Sequence, residues 1–145
     1  AWVYRFANII GSRSTHGVIY DFVLKLSDDP TRLEILGDGR QSKSYLAVEN
    51  CVAAMVYAPT VSNGTFNVFN IGSEDMVSVK QIAELIIEEM GLSNVSFHFT
   101  SGDRGWVGDV PMMRLSVDKL KATGWTPGIT SEESVRQAIR ATIAD

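Results

Sequence analysis

The residues whose types and spacing suit chemistry lie in two glycine-flanked stretches and at one strand end. The first stretch, Leu33 to Cys51, sets the loop Gly37-Asp38-Gly39-Arg40-Gln41-Ser42-Lys43-Ser44 between two short apolar segments, with an apolar helical pattern directly after it. Gly37 and Gly39 let the backbone take φ > 0 or approach a ligand closely, which makes a tight loop bearing Arg40 and Lys43. It reads either as a solvated hairpin whose charges stay in water or as a cradle for an anion. The second stretch, Gly102 to Gly108, carries Arg104, Trp106 and, one residue on, Asp109. Cations from separate loops, with the amide of Asn8 at a strand end, suit a phosphate or diphosphate, where each charge-assisted hydrogen bond contributes about 1.5–3 kcal/mol.

Other constellations lack their parts. Gly102-Asp-Arg-Gly105-Trp-Val-Gly108 spells G-x-x-G-x-x-G, but a dinucleotide fingerprint needs its last glycine at the start of an apolar helix. Here Gly108 is followed by Asp109-Val110-Pro111, and Pro111 prevents a regular helix. With two histidines far apart and one cysteine on an apolar face, neither a zinc site nor a Cys-His pair is assembled. No G-x-S-x-G elbow and no P-loop occurs.

The totals bound the rest. A chain of 145 residues suits one domain, long enough to bury ~68% of its unfolded surface. A net charge of −4 argues against a nucleic-acid partner held by neutralising many phosphates, and leaves room for one local basic pocket. No apolar run approaches the ~18 residues of a membrane span, and a single cysteine fits a reducing compartment, so cytoplasm is the expected location. The chain opens Ala1-Trp2-Val3-Tyr4-Arg5-Phe6, as if inside a strand, and is expected to be a piece of a longer protein.

The elements that must position these residues follow from periodicity. Trp2 to Ala7 predicts a buried strand ending in the polar turn Gly11 to Gly17; Phe22, Val23 and Leu26 predict a helix stopped by Asp28-Asp29-Pro30. Leu33 to Leu36 and Tyr45 to Leu46 predict short strands, and Val48, Cys51, Val52, Met55 and Val56 one helical face. Thr65 to Ile71 predicts a strand. Ser78 with Gln81 forms a capping box for a helix striped by Val79, Ile82, Ala83, Ile86 and Met90, with Gly91 at its end. Val95 to Phe99 alternates as a half-buried strand, and Val117 to Thr123 predicts a short helix. Thr130 with Glu133 caps a last helix burying Val135, Ala138, Ile139 and Ile143. The expected fold class is α/β with α+β character, a small mixed sheet with flanking helices.

Four segments in order resemble a known family. Arg5-Phe6-Ala7-Asn8-Ile9-Ile10-Gly11 resembles the R-x-x-N-x-x-G-P turn of extended short-chain dehydrogenase/reductases acting on nucleotide sugars, and Leu33 to Asn50 resembles that family's l-x-i-x-G-d-G-x-Q-x-R-D-y-x-x-V-d-D segment. Phe66 to Ser73 followed by Val77-Ser78-Val79 is similar to its y-N-i-G-s … s-v segment, and Gly108-Asp109-Val110 with Leu120 to Pro127 to its G-D-v … L-G-w-x-P ending. The resemblance points to the epimerase/dehydratase branch typified by UDP-glucose 4-epimerase.

That resemblance implies a nucleotide-sugar-binding C-terminal portion spanning residues 1–145, without the N-terminal Rossmann domain. The family's glycine fingerprint and Tyr-x-x-x-Lys have no counterpart: Tyr4, Tyr20, Tyr45 and Tyr57 all lack a lysine four residues on. It implies NAD in a full-length, homodimeric parent, no cofactor and no catalytic residue in this chain alone, and a UDP- or dTDP-sugar as ligand. Carried over, Asn8 would touch the diphosphate or sugar, Ala7 would lie beside the nicotinamide, Ile35 and its neighbours would line the base, Lys43 would hold phosphate, and Arg104 would supply a second cation near Asp109. Several positions depart: Lys43 replaces arginine, giving a point charge rather than a bidentate fork; Ser44 replaces an acid; Ser12 replaces a proline; Glu49-Asn50 replaces an Asp pair; and Trp106 stands roughly where many relatives have an arginine. The alternatives are a dehydratase of the same family, a non-catalytic domain binding a sugar nucleotide or a protein, and association of chains through the open strand at Trp2 to Phe6.

Overall fold

Aromatic and β-branched residues make β1 (Trp2–Phe6), and after Ala7 the chain continues into β2 (Asn8–Ile10). The computed structural model describes every residue except Asp103, Arg104, Trp106, Val107 and Asp109. Then follow α1 (Val18–Asp28), β3 (Arg32–Ile35), β4 (Ser42–Lys43), β5 (Tyr45–Ala47) and α2 (Val48–Tyr57), the last running into a 3-10 turn at Ala58–Thr60. Next come β6 (Asn67–Ile71), β7 (Val77–Ser78), α3 (Val79–Glu89), β8 (Ser96–Phe99), β9 (Met112–Met113), α4 (Asp118–Lys121) and α5 (Ser131–Ala144).

The architecture is mixed α/β, but in place of the single small sheet expected from the sequence there are, among the described residues, four short ones: β1 with β6, β2 with β5 and β3 with β8, each parallel, and β4 between antiparallel β7 and parallel β9. The glycine loop is therefore not a hairpin. Its flanking strands pair with distant partners, β3 with β8 and β5 with β2.

Among the described residues two cores hold the layers. Leu33 and Ile35 of β3, Ile82 and Ile86 of α3 and Val135 and Ile139 of α5 are fully buried together with Phe22, Val23 and Leu26 of α1. Burying each such side chain stabilises by about 1.5–3 kcal/mol. A second cluster gathers Leu46, Cys51, Ala54, Phe69, Ile71 and Leu120. Both expected capping boxes form, Ser78 with Gln81 on α3 and Thr130 with Glu133 on α5. Gly91 follows the end of α3 at φ +65, the left-handed turn that favours glycine.

Three apolar faces differ from expectation. β1 is not buried, since Trp2, Val3 and Phe6 are each more than 40% exposed and its described ladder partner lies on one edge only, β6. On α2, Cys51 and Ala54 face the core, whereas Val48, Val52 and Val56, at i, i+4 and i+8, form an exposed stripe. Ile143 lies on the last turn of α5, beyond the packed helices, and is exposed.

Candidate functional site

The site is built at a fork in the backbone. Along β1 the chain is hydrogen-bonded to β6, and the Ala7 N–H still donates to Ile71 O at 2.9 Å. One residue later the Asn8 N–H donates to Ser44 O at 3.2 Å, and the chain runs beside β5. One strand thus leaves one partner for another between Ala7 and Asn8, and adjacent strands that diverge leave a crevice, the usual setting for a ligand in open α/β sheets.

Ser44 ties the two arms of the fork. Its buried hydroxyl donates to Ser73 O at 2.8 Å and accepts from the Ser73 N–H at 3.1 Å, so β6 and β5 are held together just past their ends. Gly72 permits this closeness, because a Cβ there would stand 2.8 Å from the Ala7 Cβ. The Asn8 amide is oriented by the same carbonyl, its Nδ2 donating to Ser44 O at 3.2 Å.

A cleft of about 620 Å³ opens at the fork. Ala7 and Asn8 line one wall; Leu36, Gln41, Lys43 and Tyr45 line another; the Gly11 to Gly17 turn and the start of α1 form the rim. Lys43 is half-buried on β4, the central strand of its three, with Val77 and Met113 as register partners, so its backbone is fixed on both edges. Tyr45 is fixed from behind by α5: its N–H donates to the buried Ser131 Oγ at 3.0 Å, and the Ser131 hydroxyl lies 3.0 Å from both Tyr45 O and Asp75 O. The Asp75 carboxylate caps the start of α5 by accepting from the Ser131 N–H at 2.9 and 3.0 Å, where the helix dipole favours an anion.

The structure brings Ala7, Asn8 and Lys43 to one cleft and separates them from Ile35. Expected to line a base, Ile35 is fully buried in the first core, paired in register with Phe99. Strand alternation explains the difference, because adjacent side chains point to opposite faces, and the exposed neighbour Leu36 lines the cleft instead. Arg40 is exposed and not among the cleft-lining residues, its N–H accepted by Asp38 Oδ1 at 2.9 Å. Arg104, Trp106 and Asp109 lie outside the described residues; Gly105 between them lines the cleft. Ser14, His16, Tyr20 and Asp21 also reach the lining, and sequence reasoning passed over them; their signal was a polar turn placed directly after the Asn8 strand.

Among the described residues no group of three His, Cys, Asp or Glu side chains is placed to hold a metal. Cys51 is 4% exposed on the core face of α2, and burial pushes its thiol pKa up, away from the reactive thiolate. No described helix is long and apolar enough to cross a membrane.

This fold is that of the C-terminal portion of an extended short-chain dehydrogenase/reductase, and the chain is related to the NAD-dependent sugar epimerases and dehydratases. Over 97% of its length it superposes on 44% of a UDP-galactose 4-epimerase, with a TM-score of 0.81 and 38% identity. The same share of the chain matches 45% of UDP-glucose 4-epimerase from Thermotoga maritima, solved with UDP-glucose, at a TM-score of 0.79 and 27% identity. GDP-mannose 3,5-epimerase of Arabidopsis thaliana is 30% identical over 118 residues, which are 79% of this chain and 29% of that protein. The chain thus spans less than half the length of these relatives. Further epimerases of the same fold, from Bacillus cereus and Thermus thermophilus, were solved with NAD bound. No protein-family model matches the chain.

Proposed function

We propose that this chain is the nucleotide-sugar-binding portion of an NAD-dependent sugar epimerase of the UDP-glucose 4-epimerase type. The observation that carries this reading is the fork cleft, in which Asn8 and Lys43 meet from separate elements beside an apolar wall at Leu36. A cation and an oriented amide suit a diphosphate, and the apolar wall suits a base. Arg104 and Asp109 complete the reading as a second phosphate contact and its neighbour.

The residues present fit only the edge of an NAD site. Ala7 presents a small side chain at the cleft wall, the position that the family resemblance puts beside a nicotinamide. A glycine fingerprint leading a helix is missing from the sequence, as is a Tyr-x-x-x-Lys pair. NAD supplies a hydride acceptor when bound; the residues of this chain bind and orient the sugar nucleotide and leave the chemistry to a Rossmann half. The exposed β1 residues Trp2, Val3 and Phe6 and the Val48, Val52 and Val56 stripe are apolar surfaces on which such a half would pack. On this reading the chain alone is inactive, and the full-length enzyme is a cytoplasmic homodimer.

Calorimetric titration of UDP-glucose and GDP-mannose into the 145-residue chain tests the reading. At least one is expected to bind, and Lys43→Ala and Arg104→Ala each to weaken it about tenfold, the worth of one charge-assisted hydrogen bond. Unchanged affinity in both variants removes the cationic clamp, and absence of binding by either ligand removes the reading. A dehydratase of the same family is separated from an epimerase by the products of the full-length enzyme.

A further inference from the structure

We propose that Asn63 is a site of spontaneous deamidation, in which the Gly64 backbone nitrogen displaces the side-chain amide as ammonia. Neither residue lines the cleft, so the modification stands apart from nucleotide binding.

Six asparagines occur in the chain, and Asn63 alone is followed by glycine. Asn8, Asn50, Asn67 and Asn70 each donate from Nδ2 to a backbone carbonyl, of Ser44, Pro127, Gly64 and Ser116 respectively, which holds their amides in place. Asn94 precedes Val95, whose branched side chain crowds the nitrogen that would attack. Asn63 has none of these restraints. It is exposed in the connection 61–66 between the 3-10 turn and β6, outside any helix or strand. Among the described residues neither its carboxamide nor the Gly64 N–H has a hydrogen-bond partner. Without a Cβ, Gly64 leaves the backbone free to bring its nitrogen onto the Asn63 Cγ.

The Gly64 nitrogen bonds to Asn63 Cγ, its proton passes to the departing amide nitrogen, and the Cγ–Nδ2 bond breaks to release ammonia and leave a five-membered succinimide. Water then adds to one of the two ring carbonyls and opens the ring. One opening leaves an aspartate at position 63; the other leaves an isoaspartate, whose main chain runs through Cβ and Cγ. Either product adds one negative charge to the net −4. The isoaspartate also lengthens the main chain by one carbon where this loop holds the start of β1. There Gly64 O accepts from Asn67 Nδ2 at 2.7 Å, Ser62 Oγ from Trp2 Nε1 at 2.8 Å and Thr65 O from the Ala1 ammonium at 2.6 Å. Isoaspartate therefore loosens that end of β1, whereas aspartate keeps the loop's length.

Incubating the folded 145-residue chain at neutral and mildly alkaline pH, then digesting with trypsin and sequencing the Ser44 to Lys80 peptide by tandem mass spectrometry, tests this against an unincubated aliquot. That peptide carries Asn50, Asn67 and Asn70 beside Asn63. Asn63 is expected to gain about 1 Da as its amide becomes a carboxyl, while the other three keep their mass. Conversion should be faster at the higher pH, where base removes the Gly64 N–H proton, and as fast in the folded chain as in urea. Gly64→Ala should slow it severalfold with Asn63 intact. Electron-transfer fragmentation separates isoaspartate from aspartate, and the isoaspartyl fraction is expected to melt at a lower Tm than the aspartyl one. No mass change at Asn63, earlier change at another asparagine, or protection relative to the urea-unfolded chain overturns the site. An unchanged rate in Gly64→Ala overturns attack by that nitrogen, and equal Tm of the two fractions overturns the loosening of β1.

Discussion

Replacing Ser44 by alanine should loosen the fork that forms the cleft, and the structure sets the size of the effect. Ser44 is fully buried and Ser73 is 1% exposed, so neither has water available when their contact is lost. The Ser44 Oγ serves both backbone groups of Ser73, accepting from its N–H at 3.1 Å and donating to its carbonyl at 2.8 Å. Ser44→Ala strands that N–H, and a buried donor left unpaired costs about 1–3 kcal/mol. For a chain of this length each kcal/mol moves Tm by roughly 4 °C, so a fall of roughly 4–12 °C is expected. Thermal unfolding followed by far-ultraviolet circular dichroism measures it, and urea titration should show a lower midpoint with an unchanged slope. Exposed Ser12 supplies the control, since Ser12→Ala should stay within about 0.5 kcal/mol. A Tm for Ser44→Ala within about 1 °C of the unmodified chain would refute the claim that this hydroxyl ties the two arms.

Two further outcomes are expected. Ile35→Ala should lower stability by about 2–5 kcal/mol in urea unfolding, because it empties a fully buried position; a loss below about 1 kcal/mol would return Ile35 to the cleft wall. Stability should also fall in acid through Glu89, which accepts from Arg140 at 2.8 and 2.9 Å and from Arg136 at 3.0 Å. Arg140 first, and then Arg136, holds the Glu89 carboxyl below its ordinary value of 4.5. A folded-state value below the unfolded one means that this stabilisation is complete above about pH 4.5 and is lost as pH falls from there through the folded value. Arg140→Ala should flatten that decline in urea midpoint against pH, and an identical slope in the variant would exclude the pair as its source.

Helices were the most legible part of the chain. The boxes at Ser78 with Gln81 and at Thr130 with Glu133 are formed by residues three apart, and both appear where the pattern put them. Strand partners were not legible. The run from Trp2 reads as one strand, but the change from β6 to β5 at Ala7 and Asn8 depends on residues more than thirty positions away. β4 and β9, two residues each, have no periodicity to detect. Asn8 and Lys43 could be nominated by type, a strand-end amide and a loop cation, whereas which of Ile35 and its neighbours reaches the cleft turns on a single step of strand alternation, with Ile35 buried and Leu36 exposed.

By itself the sequence determined which residues could do chemistry, where the helices begin, and, through four motifs in order, the kinship with sugar epimerases. Those properties reside in residue type and short-range spacing. Only tertiary structure decided that Ala7, Asn8, Lys43 and Gln41 line one cleft, and that Leu36 lines it while Ile35 is buried in the core. Each of these depends on hydrogen bonds between distant segments, Asn8 to Ser44, Ser44 to Ser73 and Tyr45 to Ser131, and local spacing does not encode which distant groups will meet.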